Sequence, residues 1–222
     1  MRKVSLLVMV AFLVSSLALV STVTAKTAFS DMKSDYWAKD DIDYLVEKKI
    51  ITGYPNGKFG PEDTIRRVDA ARMIVRALAL NTTNPKNPNF KDVTRNTDGF
   101  NDIAAAVEAG IFNGSNGYFY PNKTLNRAEM TAIIIRAFKL EKKTSKVSFK
   151  DVTSKHWAYK DIQALVAHGF TTGYPDKTFK PEKSTTRAEF ATFMVRVMKK
   201  QETPKEEEKK PEDPGFEVID IY

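Results

Sequence analysis

The chain has 222 residues, 42% of them apolar and 14 of them Phe, enough to bury a core. Cysteine is absent, which excludes disulfides, thiolate nucleophiles and sulfur-ligated zinc, and the two histidines, His156 and His168, do not make a metal pair. The net charge of +7 falls to +5 once Arg2 and Lys3 are set aside with a leader, a modest excess compatible with an anionic partner but not the signature of a nucleic-acid binder.

Residues 1–25 read as a secretory signal. Arg2 and Lys3 give a positive start, Val4 to Val20 is apolar except for Ser5, Ser15 and Ser16, and Val23-Thr24-Ala25 offers small residues for cleavage before Lys26. An uncleaved membrane anchor is the competing reading of this run, and export follows from either.

Three repeats follow. They open at Phe29-Ser30-Asp31, Phe90-Lys91-Asp92 and Phe149-Lys150-Asp151. Eleven residues past each Asp stands Ile42, Ile103 or Ile162, and eleven further Gly53, Gly114 or Gly173. Then come Pro61, Pro121 and Pro181; six residues on, Arg67, Arg127 and Arg187; nine beyond those, Arg76, Arg136 and Arg196. The spacing sets repeats at 26–88, 89–147 and 148–201.

Each unit predicts helix, loop, helix. Apolar positions at i, i+3 and i+4 (Ile42, Leu45, Val46 in the first copy) make one face of an amphipathic helix. Gly110 and Gly169 suit a left-handed cap at its end, and Lys49 in that place predicts a different cap for the first copy. Gly-Tyr-Pro-Asn-Gly-Lys-Phe at 53–59 and Gly-Tyr-Pro-Asp-Lys-Thr-Phe at 173–179 are turns; they lack the alternating carboxylates of a calcium loop. Thr186-Arg187-Ala188-Glu189 is a capping box opening the second helix, and Asn126-Arg127-Ala128-Glu129 is a close variant. The second helices are apolar round most of their circumference, which predicts burial. The expected fold is mainly α: three lobes in pseudo-threefold array around a central three-helix bundle, folding as one unit because a repeat of this size buries its wide face poorly alone. Residues 202–214 have linker composition, and 215–222 form a short apolar tail, a terminus or a docking peptide.

The arginine just inside each second helix is the most informative residue. A helix N-terminus disfavours a neighbouring cation and attracts anions, so an arginine there fits an anion shared by both. That anion is either internal, supplied by Asp31, Asp92 and Asp151, or belongs to a ligand; the sequence leaves both open. Trp37 and Trp157, six residues after the opening Asp, suit a sugar-binding cleft, although burial tendencies weigh Trp toward the core.

Phe-x-Asp, the Trp six residues later, the Gly-Tyr-Pro-Asp/Asn loop and Thr-Arg-Ala-Glu together resemble the S-layer homology repeat, over about residues 27–200. The resemblance implies a secreted cell-wall or S-layer protein that is no enzyme and needs no cofactor or metal. It implies binding, in grooves between lobes, to an anionic, pyruvylated secondary cell-wall polysaccharide attached to peptidoglycan. The contacts it implies are Arg67, Arg127 and Arg187 with Gly53, Gly114 and Gly173, supported by Asp31, Asp92 and Asp151, with Trp37 and Trp157 lining two grooves. The first copy departs from the pattern with Arg66 in place of the Thr cap. The second has Asp98 in place of Trp and a shorter loop, Gly114-Ser115-Asn116-Gly117, which makes its site the weakest match. Two alternatives stand beside anchoring: a wall-glycan hydrolase using Glu62, Glu129, Glu182 or Glu189, and a scaffold recruiting cargo through 215–222.

Overall fold

The computed structural model describes residues 29–203, so the leader at 1–25 and the tail at 215–222 lie outside it. Among the described residues the regular structure is helical: α1 (Lys39–Glu47), α2 (Arg67–Ala77), α3 (Phe100–Glu108), α4 (Arg127–Ala137), α5 (Tyr159–Ala167) and α6 (Arg187–Glu202). Extended pairing is limited to isolated bridges.

Local sequence explains where the helices start. At α4 the Asn126 side chain accepts from the Glu129 N–H (2.8 Å) while Glu129 accepts from the Asn126 N–H (3.1 Å), and Thr186 with Glu189 does the same for α6. At α2 the box is lost. Arg66 caps without a side-chain bond, and the shorter Asp69 is held by the Arg66 guanidinium at 2.7 and 3.1 Å.

The ends of α1, α3 and α5 are alike, contrary to the expectation that Lys49 imposes a different cap. Lys49 adopts φ 58°, close to the 71° of Gly110 and 77° of Gly169. The same bonds follow: the Lys49 N–H reaches the Val46 carbonyl and the Ile50 N–H the Leu45 carbonyl, each at 2.9 Å. The side chain therefore tolerates a left-handed backbone that glycine takes without cost.

Packing runs from one repeat to the next. Helix α2 lies on α3, α4 on α5, and α6 on α1, while α4 also meets α6. The second helix of each copy thus packs on the first helix of the following copy, and the last copy closes on the first. The second helices are buried as their composition predicts: in α4 every residue but Glu129 and Arg136 is buried. One core cluster takes residues from all three repeats, including Phe59, Phe119, Leu125, Ile65 and Phe190. Each such side chain contributes about 2 kcal/mol by leaving water. The extra turn of α6 strengthens the closure: Glu202 accepts from the Tyr44 hydroxyl (2.9 Å) and pairs with Lys48 (3.1 Å) on α1.

At the junction of the three second-helix entries the backbone forms a closed ring of hydrogen bonds. The Ile65 N–H donates to the Thr185 carbonyl (2.9 Å), the Thr185 N–H to Leu125 (2.8 Å), and the Leu125 N–H to Ile65 (3.0 Å). All three side chains are fully buried, and the Thr185 hydroxyl has no partner there. Thr185→Val, which matches its apolar counterparts Ile65 and Leu125, is expected to stabilise the fold by about 1 kcal/mol in urea denaturation. Lys49→Gly should add about 1 kcal/mol by relieving the left-handed strain at the end of α1, read from the same midpoint shift at constant slope.

Candidate functional site: grooves between the repeats

The opening Phe explains the loop glycine. A Cβ on Gly53 would collide with the Phe29 ring and stand 2.6 Å from the Lys58 carbonyl oxygen; Gly114 against Phe90 and Gly173 against Phe149 repeat the constraint. These glycines let a loop close over an aromatic ring, which then meets Phe59, Phe119 or Phe179 with centroids 5.4–5.7 Å apart.

The opening Asp holds the far side of the same loop. Asp31 accepts from the N–H groups of Phe59 and Gly60 (both 2.8 Å), Asp92 from Phe119 (2.8 Å) and Tyr120 (2.7 Å), and Asp151 from Phe179 (2.8 Å) and Lys180 (2.7 Å). The three carboxylates therefore do not pair with the three arginines, which removes the internal-anion reading. Burial pushes the Asp31 carboxyl up, but bonds from the Phe59 and Gly60 N–H groups, its own N–H and the charge of Lys58 together bring it below its ordinary value of 3.8.

The arginines face the same residues from the other side. Nε of Arg187 donates to the Phe59 carbonyl (2.9 Å), that of Arg67 to Phe119 (2.8 Å) and that of Arg127 to Phe179 (2.9 Å). Arg187 also reaches the Thr52 carbonyl (3.2 Å) and Arg67 the Asn113 carbonyl (2.9 Å). Each arginine is at most 9% exposed, and its guanidinium lies 4.7–4.8 Å over the Phe ring whose carbonyl it holds. Among the described residues none of the three has a carboxylate partner. Burial lowers the pKa of Arg67 and Arg127, the mark of a cation removed from water.

The helix ends themselves offer less than the sequence suggested. The Arg67 and Val68 N–H groups donate to the carbonyls of Lys123 and Pro121 (2.9 and 3.0 Å), and Arg127 and Ala128 to Lys183 and Pro181 (both 3.0 Å). Arg187 and Ala188 donate to Asp63 and Pro61 (2.8 and 3.1 Å). With these first donors bonded to the neighbouring repeat, the guanidinium rather than the helix terminus is left to meet an anion.

Two grooves are well formed. The first, two overlapping cavities of about 430 and 440 Å³, is lined by Arg67, Gly114, Ser115, Glu129, Arg136 and Trp157. The second, about 300 Å³, brings together Gly53, Tyr54, Arg187, Arg76, Arg72 and Asp98. Residues of three repeats meet in each. Grading sites by repeat therefore fails: the copy with the short loop contributes Gly114 to the larger groove, where its partner aromatic is Trp157 of the third copy. Ser115 stands in the first groove where the other two copies carry a tyrosine. Tyr54 lies over Arg187 (4.7 Å) and Tyr174 over Arg127 (5.1 Å), whereas Ser115 puts no ring at that place over Arg67.

The tryptophans are surface residues, not core: Trp37 is 59% and Trp157 61% exposed. Trp157 stacks on His156 (centroids 5.8 Å) and presents a ring to the first groove. Trp37 leans on Tyr36 and lines neither of these two grooves. Asp98 replaces the tryptophan in the second groove and is ion-paired with Arg72, whose hydrogen bond holds its carboxyl below the ordinary range.

The lowered Asp31 pKa fixes a sign. Its contribution to stability is present above the ordinary carboxylate pKa and is lost as pH falls through the folded value. Urea unfolding followed from pH 7 to pH 3 should show stability falling below about pH 4. Asp31→Asn, which offers one acceptor where two N–H groups point, should lose about 1–3 kcal/mol at pH 7 and flatten that decline.

The S-layer homology domain family matches this chain at residues 28–71, 89–131 and 148–191. The S-layer protein sap of Bacillus anthracis is 33% identical over 195 residues, covering 86% of this chain and 23% of that protein. An S-layer protein of Bacillus licheniformis is 34% identical over 206 residues, 91% of this chain and 23% of that one. Exoglucanase XynX of Acetivibrio thermocellus is 33% identical over 179 residues, 78% of this chain and 16% of that protein. The chain thus spans less than a quarter of the length of each of these relatives. Three matched segments over more than half the chain settle its kinship: it belongs to the S-layer homology domain family, among secreted proteins associated with the cell wall and S-layer.

Proposed function

We propose that the chain anchors itself non-covalently to the wall by binding an acidic, pyruvylated secondary cell-wall polysaccharide in its inter-repeat grooves. The observation that carries this reading is the guanidinium of Arg67: nearly buried, pinned by two carbonyls, without a carboxylate partner, and facing a groove that an aromatic platform also lines. A buried cation without a counter-charge is costly, and an incoming carboxylate both neutralises it and takes its free donors. The exposed face of Trp157 suits the apolar face of a sugar ring.

The carboxylates a hydrolase would need are engaged in structure. Glu129 and Glu189 cap helices, Glu62 accepts from the Tyr36 hydroxyl (2.6 Å), and Glu182 accepts from the Asn126 amide (2.8 Å). Relatives named as unlike as an S-layer protein and an exoglucanase share this segment over a minor part of their length, which supports a module that attaches rather than one that reacts.

Binding is measured by co-sedimentation with purified wall sacculi. It should disappear when the polymer is stripped chemically and weaken as salt rises. Because the ring is exposed, Trp157→Ala should leave the melting temperature unchanged and weaken binding about tenfold, the loss of one stacking contact. Undiminished binding to bare peptidoglycan would overturn the proposal.

A further inference from the structure

The arginine nine residues past the one that opens each second helix recurs in all three copies, as Arg76, Arg136 and Arg196. In two copies it closes the preceding helix of its own repeat. Nη1 of Arg196 donates to the Phe170 carbonyl (3.1 Å), and that of Arg76 stands 3.5 Å from the Ile50 carbonyl. In the second copy the corresponding carbonyl is that of Ile111, and Arg136 does not use it. Its Nε donates to Ala132 (3.0 Å) within α4. With the Asn113 amide oriented so that its nitrogen donates to the Phe112 carbonyl (3.2 Å), its oxygen accepts from Nη1 of Arg136 at 2.8 Å.

Asn113 is the cause of the difference. The residue before the loop glycine is Thr52 in the first copy and Thr172 in the third, too short to reach the arginine in this way. Asn113 receives Arg67 on its backbone carbonyl and Arg136 on its side chain, so two guanidiniums from neighbouring repeats converge on one residue at the groove wall. Neither has a carboxylate partner among the described residues, and each keeps N–H donors without a protein acceptor. Glu129, the acid in the same groove, is bonded to Lys123 (2.9 Å) and to the Asn126 N–H. Burial is the main cause that lowers both arginine pKa values; at Arg67 the charge of Glu129 opposes it and that of Arg136 adds to it.

We propose that Arg136 is a second anion-binding residue of the Arg67 groove, so that this groove clamps the carboxylate of an acidic sugar between two guanidiniums that are both held by Asn113. This inference rests on the anchoring reading. A carboxylate has two oxygens and room for about four donors, so two forks fill it where one cannot. The ligand would also tie α4 to the start of α2, stabilising the contact between the first two repeats.

The test uses the full chain and wall sacculi carrying their secondary polymer, with dissociation constants measured across a salt series. Arg136→Gln should bind about tenfold more weakly, with a shallower salt dependence, at an unchanged melting temperature; Arg136→Lys should restore the salt dependence but only part of the affinity. Asn113→Thr, which installs the residue the other two copies carry, should fold normally and weaken binding severalfold. Binding within twofold of wild type for folded Arg136→Gln, or for Asn113→Thr if that variant alone folds, overturns the role of Arg136. Failure of the wild-type chain to bind polymer-bearing sacculi overturns the anchoring reading instead.

Discussion

A single residue in each loop is held from both sides by opposite charges. The Asp that opens a repeat takes the N–H of Phe59, Phe119 or Phe179, and the arginine that opens the preceding second helix takes the carbonyl of the same residue. The acid and the base never touch; a peptide segment stands between them. The Asp fastens the loop to its own repeat, and the arginine fastens it to the repeat before. Removing either leaves buried polar backbone without a partner, a cost comparable to the whole contribution of a large apolar side chain.

The rest of the architecture follows from that clasp. Because the arginine comes from the preceding copy, loops and second helices interlock in a cycle: Arg67 on the second loop, Arg127 on the third, Arg187 on the first. The helices repeat this order, α2 on α3, α4 on α5 and α6 on α1, and the backbone ring through Ile65, Leu125 and Thr185 repeats it at the centre. A copy taken alone would expose one face of each helix and leave its second helix with unpaired N-terminal donors. Cooperation among the copies is therefore written into backbone hydrogen bonds as well as into apolar area.

Much of this was legible in the sequence, and what was missed has a physical pattern. Periodicity at 3.6 residues and the boxes at Asn126 and Thr186 gave the helices, because those signals are local. The residues of the clasp were recognisable by their spacing, but their pairing was not: a sequence shows that Asp31 and Arg187 recur and cannot show that a carbonyl and an N–H lie between them. Helix electrostatics pointed to a free N-terminus, and the neighbouring loop's carbonyls fill it. Trp37 and Trp157 were weighed toward the core from the habits of tryptophan, yet the core positions were already taken by Phe59, Phe119 and Phe179. Lys49 shows a side chain tolerated where backbone geometry prefers glycine, which only φ reveals.

The division between what is kept and what varies explains how three copies of one unit can differ in their grooves. Phe, Asp, Gly and Arg are fixed by the clasp in every copy, since each closes contacts that hold two repeats together. The positions beside them carry no such duty: Tyr54 and Tyr174 lie over an arginine where Ser115 does not, Thr52, Asn113 and Thr172 set which carbonyl the second arginine seeks, and Asp98 and Trp157 set what the rims of the two grooves present. A substitution there alters a groove without loosening the fold. The departures at Asn113, Ser115 and Asp98, which in the sequence look like decay, fall on those free positions. In the first groove they remove a tyrosine from the opening and give Arg136 a side-chain partner in Asn113, and in the second they replace an aromatic rim with an ion pair. The copy that matches the pattern least well thus supplies the loop of the larger of the two grooves, because the pattern records what the fold requires and the grooves are shaped by what it leaves unconstrained.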